Sequence, residues 1–569
     1  MIKNSKLVIA ISIIFGLALT FLSPALSETI PDEQVRLDFG NSANQVRVVG
    51  DPRVGAIFSD SKKFFMQNSP MILGIQKSDS GQVFSEQSPY AVQCNSMQDP
   101  QCAKFPLKFI SAKYPYCGPT SSVICIKSFW AILPDGKRVE AKFVQELDPG
   151  NSVRFSDQPQ YGIPRTAGDS IFEFSDENGK SLLTHDGGKF FALRTSLVGT
   201  FGSGAYDFEG SLFAVSLKPS ANKRLNFRGY SNTTSGAGYG LNWDTPVTNN
   251  CVVVGVGICG IPYSLPLDVR FGVSMQSTVF PIKWLHGRLD SPVINSTFNS
   301  KVYQMSLEAK PIKSPVLSGI TRFSQLTPAL QKRYSSIIED DKNDPKGRIM
   351  IDDLTPSRGD YSLTALKEWL AFLPDKAQAL PTAWSIRTIS VTDLAASKFS
   401  KNCLNLDENI AGLVTTNATA YSSGPPKFES ATGALEYQVA APHFEKDGVT
   451  PFKGTYDLAI RSDVARCIYG FTNAPIQATI SVVNSDADPK LVTTTFKESN
   501  GWVNFSARNF EFSSPTIVVK MTQQVPAVTP TIVPKKATPA VRTKVCINAK
   551  GGKKTVAIKS SCPKGFRAK

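Results

Sequence analysis

The chain has 569 residues, enough for about three or four ordinary domains. Its 41% hydrophobic and 19% charged residues exclude a disordered chain, and it lacks the repeated long apolar runs of a membrane bundle. Only three residues are histidine, which leaves little raw material for histidine-based catalysis or zinc chemistry. The 40 glycines and 38 prolines, among many Val, Thr, Ser and Phe residues, favour strands joined by short turns.

Residues 1–27 have the composition of a secretory signal peptide. Lys3 and Lys6 give a positive start, and the apolar segment 7–22 follows. Ala25-Leu26-Ser27 then has the small residues of a cleavage site. The apolar segment is short for a bilayer span, although a retained anchor is the alternative, and no second stretch of spanning length follows. We therefore predict a secreted protein, extracellular or associated with the cell envelope, without a transmembrane segment once the signal is removed.

The ten cysteines predict disulfides, because thiols oxidise outside the cell and the number is even. Three pairs would close short loops, a fourth would be a long-range tie, and a fifth would close the end of the chain. In that order the pairs are Cys94/Cys102, Cys117/Cys125, Cys251/Cys259, Cys403/Cys467 and Cys546/Cys562. Spacing does not decide among the three ways in which the first four cysteines can pair. No closely spaced Cys pair or interspersed His supports a metal site.

The hydrophobic pattern predicts a mainly β protein built of tandem antiparallel β-sandwich domains, with a small helical insertion or connector. Residues 28–310 predict one large or two smaller sandwiches, with a split near residue 150. A linker and helical connector over 311–400 lead to a further sandwich over 401–525. A proline-rich linker over 526–543 then precedes a basic, disulfide-closed tail over 544–569.

Three local signals place individual elements. Pro-Asp-Gly at 134–136 predicts the turn of a hairpin over 132–144. Thr-Pro at 327–328 predicts the start of one helix, and Ser362 predicts the cap of a second helix that ends before Pro374. The second helix is expected to have an apolar face of four leucines, Leu363, Leu366, Leu370 and Leu373.

No motif assigns a catalytic residue, a metal site or a cofactor. His185, His286 and His443 lack an accompanying Gly-x-Ser-x-Gly motif. Carboxylates cluster at 176–177, 339–341 and 352–353, but a glycosidase needs two of them about 5–10 Å apart in a cleft, which spacing does not show. Residues 341–352 have some ligand offsets of a calcium loop but place Pro345 and Lys346 where an EF-hand needs a ligand and a glycine.

Aromatic residues offer two candidates for glycan contact. Six tryptophans could include a sugar-stacking platform, although aromatic residues in β-sandwiches more often form the core. The polar, glycine-rich segment 226–243 is the best single candidate for a binding loop, with a flexible connection as the alternative.

The basic tail is the most specific feature of the sequence. From residue 526 to the end there are 11 Lys and Arg residues and no Asp or Glu. Residues 28–525 have 49 basic and 47 acidic residues, a net charge of only +2. The concentrated charge predicts binding to an anionic polymer through eight residues, Lys544, Lys550, Lys553, Lys554, Lys559, Lys564, Arg567 and Lys569. Because Phe566 is the only aromatic residue here, specific nucleic-acid recognition is not predicted.

The tail also follows a motif: a Thr-x-x-Cys opening, a Lys- and Gly-rich stretch, a valine, then Cys-Pro-x-Gly-Phe and a basic end. The matching residues are Thr543, Cys546, Lys550, Gly551, Lys553, Lys554, Val556, Cys562, Pro563, Gly565 and Phe566. In this motif the tail resembles the C-terminal module of uncharacterised secreted actinobacterial surface proteins. Residues 435–522 resemble a β-domain of such proteins more loosely. The resemblance implies a surface or secreted role and no particular activity.

Together these features predict a secreted, envelope-associated binding or structural protein, adhesin-like or part of a matrix. Its expected partners are an anionic cell-envelope polymer or glycan, and other surface proteins, without a cofactor. The alternative is a secreted polysaccharide hydrolase that uses an Asp/Glu pair from residues 28–310.

Overall fold

A computed structural model describes much of the chain after residue 52. The described residues are 53–60, 70–75, 92–118, 123–149, 153–202, 205–221, 227–228, 240–241, 253–255, 258–278, 283–341, 350–354, 359–389, 401–404, 409–422, 424–472, 476–483, 489–490, 493–512, 516–523 and 542–569. The predicted signal peptide, Cys251, and most of the predicted linker and binding loop lie outside them. The chain divides into two compact units, Met1–Thr522 and Gln523–Lys569.

The first unit is mainly β, with several antiparallel sheets and few short helices, consistent with tandem sandwiches. In the described part of the chain its longest sheet has fifteen strands. They are Met71–Ile75, Val92–Cys94, Leu107–Ala112, Lys142–Glu146, Ser170–Glu173, Phe190–Gly202, Ala205–Ala221, Val253–Gly255, Ile258–Tyr263, Trp284–Arg288, Ser385–Thr388, Gly412–Thr416, Lys453–Arg461, Thr493–Ser499 and Trp502–Glu511. This long sheet joins strands from both predicted β-regions; the predicted boundaries near 150, 310 and 400 stay predictions.

A five-stranded sheet packs against the long sheet. Its strands are Cys125–Ile132, Arg138–Glu140, Arg270–Ser277, Asp290–Asn299 and Val302–Lys310. Phe129 of this sheet lies with its ring centroid 5.4 Å from that of Phe172 of the long sheet, and both are buried. The predicted hairpin turn is confirmed, because Cys125–Ile132 pairs with Arg138–Glu140 across the Pro-Asp-Gly turn. The return strand ends at Glu140, earlier than predicted, because the chain from Lys142 onward pairs with Ser170–Glu173 in the long sheet. Two sheets packed face to face through aromatic side chains make the sandwich core.

A second sandwich layer covers the other end of the long sheet. Its six strands are Ala420–Tyr421, Lys427–Glu429, Ala434–Ala440, Ile476–Val483, Pro489–Lys490 and Thr516–Gln523. Tyr437 of this layer lies 5.4 Å from Tyr456 of the long sheet, measured between ring centroids. Two short helices, Lys401–Leu404 and Ser462–Tyr469, lie beside it.

The predicted helical connector packs on a small sheet that begins with the first described strand. Arg53–Phe58 pairs antiparallel with Leu317–Arg322 and parallel with Met350–Leu354. Helices Pro328–Asp341 and Asp360–Trp369 bury Tyr334 and Trp369 in the same core cluster as this sheet. The remaining short elements are Pro100–Ala103, Pro159–Tyr161, Phe323–Gln325, Leu370–Phe372, and the strand pairs Phe227–Arg228 with Gly240–Leu241 and Ile312–Lys313 with Thr382–Ala383.

The start predicted for the first helix is confirmed, and the cap predicted for the second is wrong. Thr327 Oγ1 accepts a hydrogen bond from the Leu330 N–H at 3.4 Å. The second helix begins at Asp360 rather than after Ser362, because Gly359 adopts a φ of 53° that turns the chain three residues earlier. Leu370 is 55% exposed, since the α-helix ends at Trp369 and a tighter 3₁₀ turn rotates Leu370 off the apolar face.

No helix among the residues just described is long and apolar enough to cross a bilayer.

Candidate functional site

The second unit builds a small scaffold for the predicted cations. Its central strand Thr543–Asn548 pairs antiparallel with Lys553–Ala557 on one side and with Phe566–Ala568 on the other. The first turn is fixed by Asn548, whose Oδ1 accepts hydrogen bonds from the backbone N–H groups of Lys550 at 3.1 Å and Gly552 at 2.7 Å. Gly551 completes the turn with a φ of 81°, which side-chain-bearing residues rarely adopt. A short, turn-rich sequence therefore forms an ordered sheet.

The Cys546–Cys562 disulfide supplies the core of this unit. The predicted pairing is confirmed, with a Cα–Cα distance of 5.8 Å. Cys546 is fully buried in the central strand, although almost all of its neighbours in the unit are exposed or half-buried. A unit this small has little apolar area to bury, so much of the stability of its fold comes from the disulfide.

The eight predicted cations surround this scaffold. Lys544 is half-buried and the other seven are exposed. Four lie on strands, three lie in turns or loops, and Lys569 follows the last strand. Because residues 526–569 contain no Asp or Glu, no acidic side chain of the tail neutralises them. The side chains of the tail therefore have a strongly positive net charge.

Arg542 is a ninth cation that the sequence-based set omits. It is exposed, and its carbonyl accepts a hydrogen bond from the Ile558 N–H at 2.8 Å, which places it at the edge of the sheet. It lies in the same acid-free stretch of sequence, so the charge pattern alone was sufficient to include it.

The structure also decides the pairing of the first four cysteines. Cys94 bonds to Cys102 and Cys117 to Cys125, with Cα–Cα distances of 6.0 and 5.2 Å. The long-range pair Cys403–Cys467 is confirmed with a Cα–Cα distance of 5.5 Å. The predicted Cys251–Cys259 pair stays a prediction, because Cys251 lies outside the described residues.

The histidines have structural surroundings. Both ring nitrogens of His185 bond to the backbone of its own turn, at the Phe190 carbonyl and the Gly187 N–H. His286 is fully buried, and its Nδ1 lies 2.9 Å from the Tyr421 hydroxyl. Burial, with Arg387 nearby, lowers the pKa of His286 to about 3, so the ring is neutral. His443 is exposed, and its Nδ1 and backbone N–H both donate to Asp375 at 2.8 and 2.9 Å.

The predicted tryptophan platform does not form in the described part of the chain. Trp284, Trp369 and Trp384 are fully buried, while Trp130 and Trp502 are at most 7% exposed. Trp243 lies outside the described residues, as does most of the predicted binding loop. The described tryptophans are therefore buried in the interior of the first unit, as the alternative to a platform predicted.

The acidic clusters have structural roles where they are described. Asp176 Oδ1 accepts hydrogen bonds from the N–H groups of Asn178 and Lys180, so it shapes an exposed hairpin turn. Asp352 accepts hydrogen bonds from the hydroxyls of Tyr334 at 3.2 Å and Tyr361 at 3.3 Å. The calcium-loop segment lies mostly outside the described residues, and no group of three or more possible ligands is found among those that are described.

A buried cluster of three charged side chains in the first unit was not predicted. Asp60 accepts hydrogen bonds from Arg288 Nε at 2.9 Å and from both terminal nitrogens of Arg387, and the three side chains are at most 3% exposed. Burial raises the pKa of Asp60, but the two guanidinium groups outweigh burial and lower it to about 2. Asp60 is 228 residues from Arg288 and 327 from Arg387, so no local pattern could reveal the cluster.

Among the described residues, the cavity that adjoins this cluster is too small for a substrate. A cavity lined by Leu285, Arg387 and Thr388 holds about 40 Å³, little more than one water molecule.

A second buried pair joins Lys113 Nζ to Asp169 Oδ2 at 2.7 Å. Burial lowers the pKa of Lys113, and the nearby positive charge of Arg194 lowers it further. The attraction of Asp169 raises the pKa but does not offset these two effects. Both clusters tie distant segments together.

One surface groove, of about 530 Å³, is lined by the carboxylates Glu445 and Asp447 together with Lys313 and Lys446. Asp447 accepts hydrogen bonds from the Thr450 hydroxyl and two backbone N–H groups, which lower its pKa and fix the turn. The tail therefore remains the site with the clearest chemistry.

Comparison with known proteins adds no family to this picture: no protein-family model, no curated protein and no solved structure matches the chain.

Proposed function

We propose that this chain is a secreted, cell-envelope-associated binding or structural protein, adhesin-like or part of a matrix. Its cationic tail holds it non-covalently on an anionic envelope polymer, while the β-sandwich unit contacts glycan or other surface proteins. The proposal extends the resemblance of the tail to modules of secreted actinobacterial surface proteins.

One observation supports this function above the others: nine Lys and Arg residues lie on a 28-residue disulfide-closed module without any Asp or Glu. Eight of the nine are exposed, so they can meet a polyanion without paying for desolvation of a buried charge. An ordered module also fixes the spacing of the charges, which reduces the entropy lost on binding.

The hydrolase alternative has no comparable observation in its favour. Among the described residues of 28–310, the buried carboxylates with ion pairs are Asp60 and Asp169, and cationic partners neutralise both. The carboxylates at 176–177 lie in an exposed turn rather than in a cleft.

A retention experiment tests the proposed function. The chain from residue 28 to 569 and the chain ending at 525 are incubated with cell walls that contain teichoic acid, at increasing NaCl concentrations. We expect the longer chain to bind at low salt and to lose about tenfold in affinity by about 0.5 M NaCl, because salt screens exposed charges. The shorter chain should bind at least about tenfold more weakly at low salt.

A variant in which all eight predicted cations are replaced by Gln separates charge from the mere presence of the tail. It should behave like the shortened chain. Equal retention of the three proteins at low salt would rule out the tail as the retaining element.

A further inference from the structure

The sheet of the tail has two faces that differ in what covers them. Side chains alternate between the faces along each strand, and residues opposite each other on paired strands share a face. One face, the covered face, consists of Lys544, Cys546, Asn548, Lys554, Val556, Phe566 and Ala568. The other, the open face, consists of Thr543, Val545, Ile547, Lys553, Thr555, Ala557 and Arg567.

Burial distinguishes the two faces. On the covered face Cys546 is fully buried and bonded to Cys562, so the segment that carries Cys562 lies over it. Lys554 of this face is held with its Nζ 5.4 Å from the centroid of the Phe566 ring. On the open face Val545 is 37% exposed, and four of the other six residues are also exposed. Within residues 542–569 the open face is therefore the accessible side of the sheet.

The open face combines cations with aliphatic side chains in a fixed order. Ile547 on the central strand lies opposite Lys553 on one neighbour and Arg567 on the other. Since neighbouring strands are about 4.8 Å apart, the two cations flank Ile547 at a separation of about 10 Å between their backbones. Lys569 extends the cationic edge, because its N–H donates to the Val545 carbonyl at 3.0 Å.

This order matches a particular chemistry of polyanion. The Arg fork binds a phosphate through two hydrogen bonds, and Lys binds it as a point charge. Between them Val545 and Ile547 present aliphatic surface, which gains free energy only if the ligand brings carbon atoms to it. A chain of phosphates without spacers would leave this surface uncovered.

We propose that the open face binds a phosphodiester polymer whose phosphates are joined by short polyol spacers. Lys553 and Arg567 hold separate phosphates of the polymer, and Val545 and Ile547 contact the carbon atoms of a spacer. This inference rests on the proposed function, since it assigns the retaining polymer and the face of the tail that binds it.

The test compares two charge-matched variants of the chain from residue 28 to 569. Lys553→Gln/Arg567→Gln removes two charges from the open face, whereas Lys559→Gln/Lys564→Gln removes two exposed charges from the segments flanking Cys562. Binding to immobilised poly(glycerol phosphate) is measured at about 0.15 M NaCl. We expect a loss of at least about tenfold for the first variant and less than about threefold for the second. Circular dichroism and the mass of the intact disulfide form check folding.

Equal losses in the two variants would overturn the assignment of the open face, while the retaining role of the tail would stand. Unchanged binding of both variants, together with unchanged binding after deletion of 526–569, would contradict the proposed function as well.

A third variant tests the chemistry of the ligand. Val545→Thr/Ile547→Thr keeps the charge and the preference for strand but replaces a methyl group of Val545 and the ethyl group of Ile547 with hydroxyls. It should weaken binding to poly(glycerol phosphate) at least about threefold and leave binding to long-chain inorganic polyphosphate unchanged. An equal effect on both polymers would overturn the polyol spacer. An effect confined to phosphatidylglycerol vesicles would identify a lipid surface instead and would also overturn it.

Discussion

Asp60 lies between Arg288 and Arg387, which belong to hydrogen-bonded strands of the long sheet. Arg288 also donates to the carbonyls of Thr416 and Thr419 at 2.9 and 3.2 Å, so its guanidinium group binds the backbone as well as Asp60. Removing one partner from such a buried set leaves a charge without compensation, which is far more costly than losing an exposed pair. The cluster therefore fixes the segment that follows the first described strand onto the sheet.

Acid should expose the contribution of Asp60. Its pKa is about 2 in the folded chain against 3.8 as its ordinary value, so the stabilisation is complete above about pH 4 and is lost as the pH falls through about 2. Between pH 5 and pH 2 we expect the wild-type free energy of unfolding to fall by about 2 kcal/mol more than that of Asp60→Asn. Urea unfolding at a series of pH values measures the difference.

A matched control for this measurement is Asp148→Asn. Asp148 forms an exposed ion pair with Arg154, with both side chains more than half exposed. Such pairs contribute about 0–1 kcal/mol, so this variant should follow the wild type across the pH range. Parallel curves for wild type and Asp60→Asn would show that the buried carboxylate does not have the lowered pKa.

Among the elements, disulfides differ in how much chain they constrain. Cys403–Cys467 spans 64 residues and joins two short helices, whereas Cys94–Cys102 spans only 8. The loop-entropy model attributes most of a disulfide's effect to the unfolded state, where a longer loop loses more conformational freedom. The long-range pair should therefore stabilise the protein more than the short loop does.

Double replacement by alanine tests this order. Cys403→Ala/Cys467→Ala should lower the free energy of unfolding by about 4 kcal/mol, and Cys94→Ala/Cys102→Ala by about 2.5 kcal/mol. Both are measured by urea unfolding without reductant, so the other disulfides stay intact. The reverse order would mean that packing around the short loop outweighs the entropy of the long one.

Local elements could be predicted from the sequence, and their partners could not. The hairpin at 134–136 and the helix start at Thr327 depend on residues that are adjacent in the chain. The cap at Ser362 was predicted wrongly, because Gly359, directly before the first helical residue, decides where the chain bends. In contrast, Trp284–Arg288 pairs in parallel with Gly412–Thr416, more than a hundred residues away, and no local pattern specifies that register.

For the candidate site the same division holds. The cations, the disulfide and the absence of acid were all readable in the tail, because they are properties of one short segment. The two unequal faces were not, since they depend on which strand Phe566–Ala568 joins and on where the Cys562 segment lies.

At the scale of the whole molecule, charge and mass are divided between the two compact units. The first unit contains the sandwich cores and almost balanced charge, and the second contains the cationic sheet with its own disulfide. Each unit has its own means of holding its fold, which is how independent domains behave.

Deletion of residues 526–569 should therefore leave the thermal unfolding of the first unit nearly unchanged. We expect its melting temperature to shift by less than about 2 °C in calorimetry, because no core residue of the first unit is removed. A shift of several degrees would mean that the tail stabilises the sandwich unit, and the retention experiment would then need the Gln variant alone.

The pairing of the first described strand has a consequence for the order of folding. Arg53–Phe58 hydrogen-bonds to strands that end at Arg322 and Leu354, and Asp60 forms its ion pair with Arg387. Contacts so distant in sequence close large loops and form slowly. A chain that emerges from its N-terminus cannot complete the pairing of this strand until Leu354 has been made, nor the Asp60 cluster until Arg387 has been made. The earliest described segment to be made is thus fixed in place only after Arg387 has been made, when about two thirds of the chain is present.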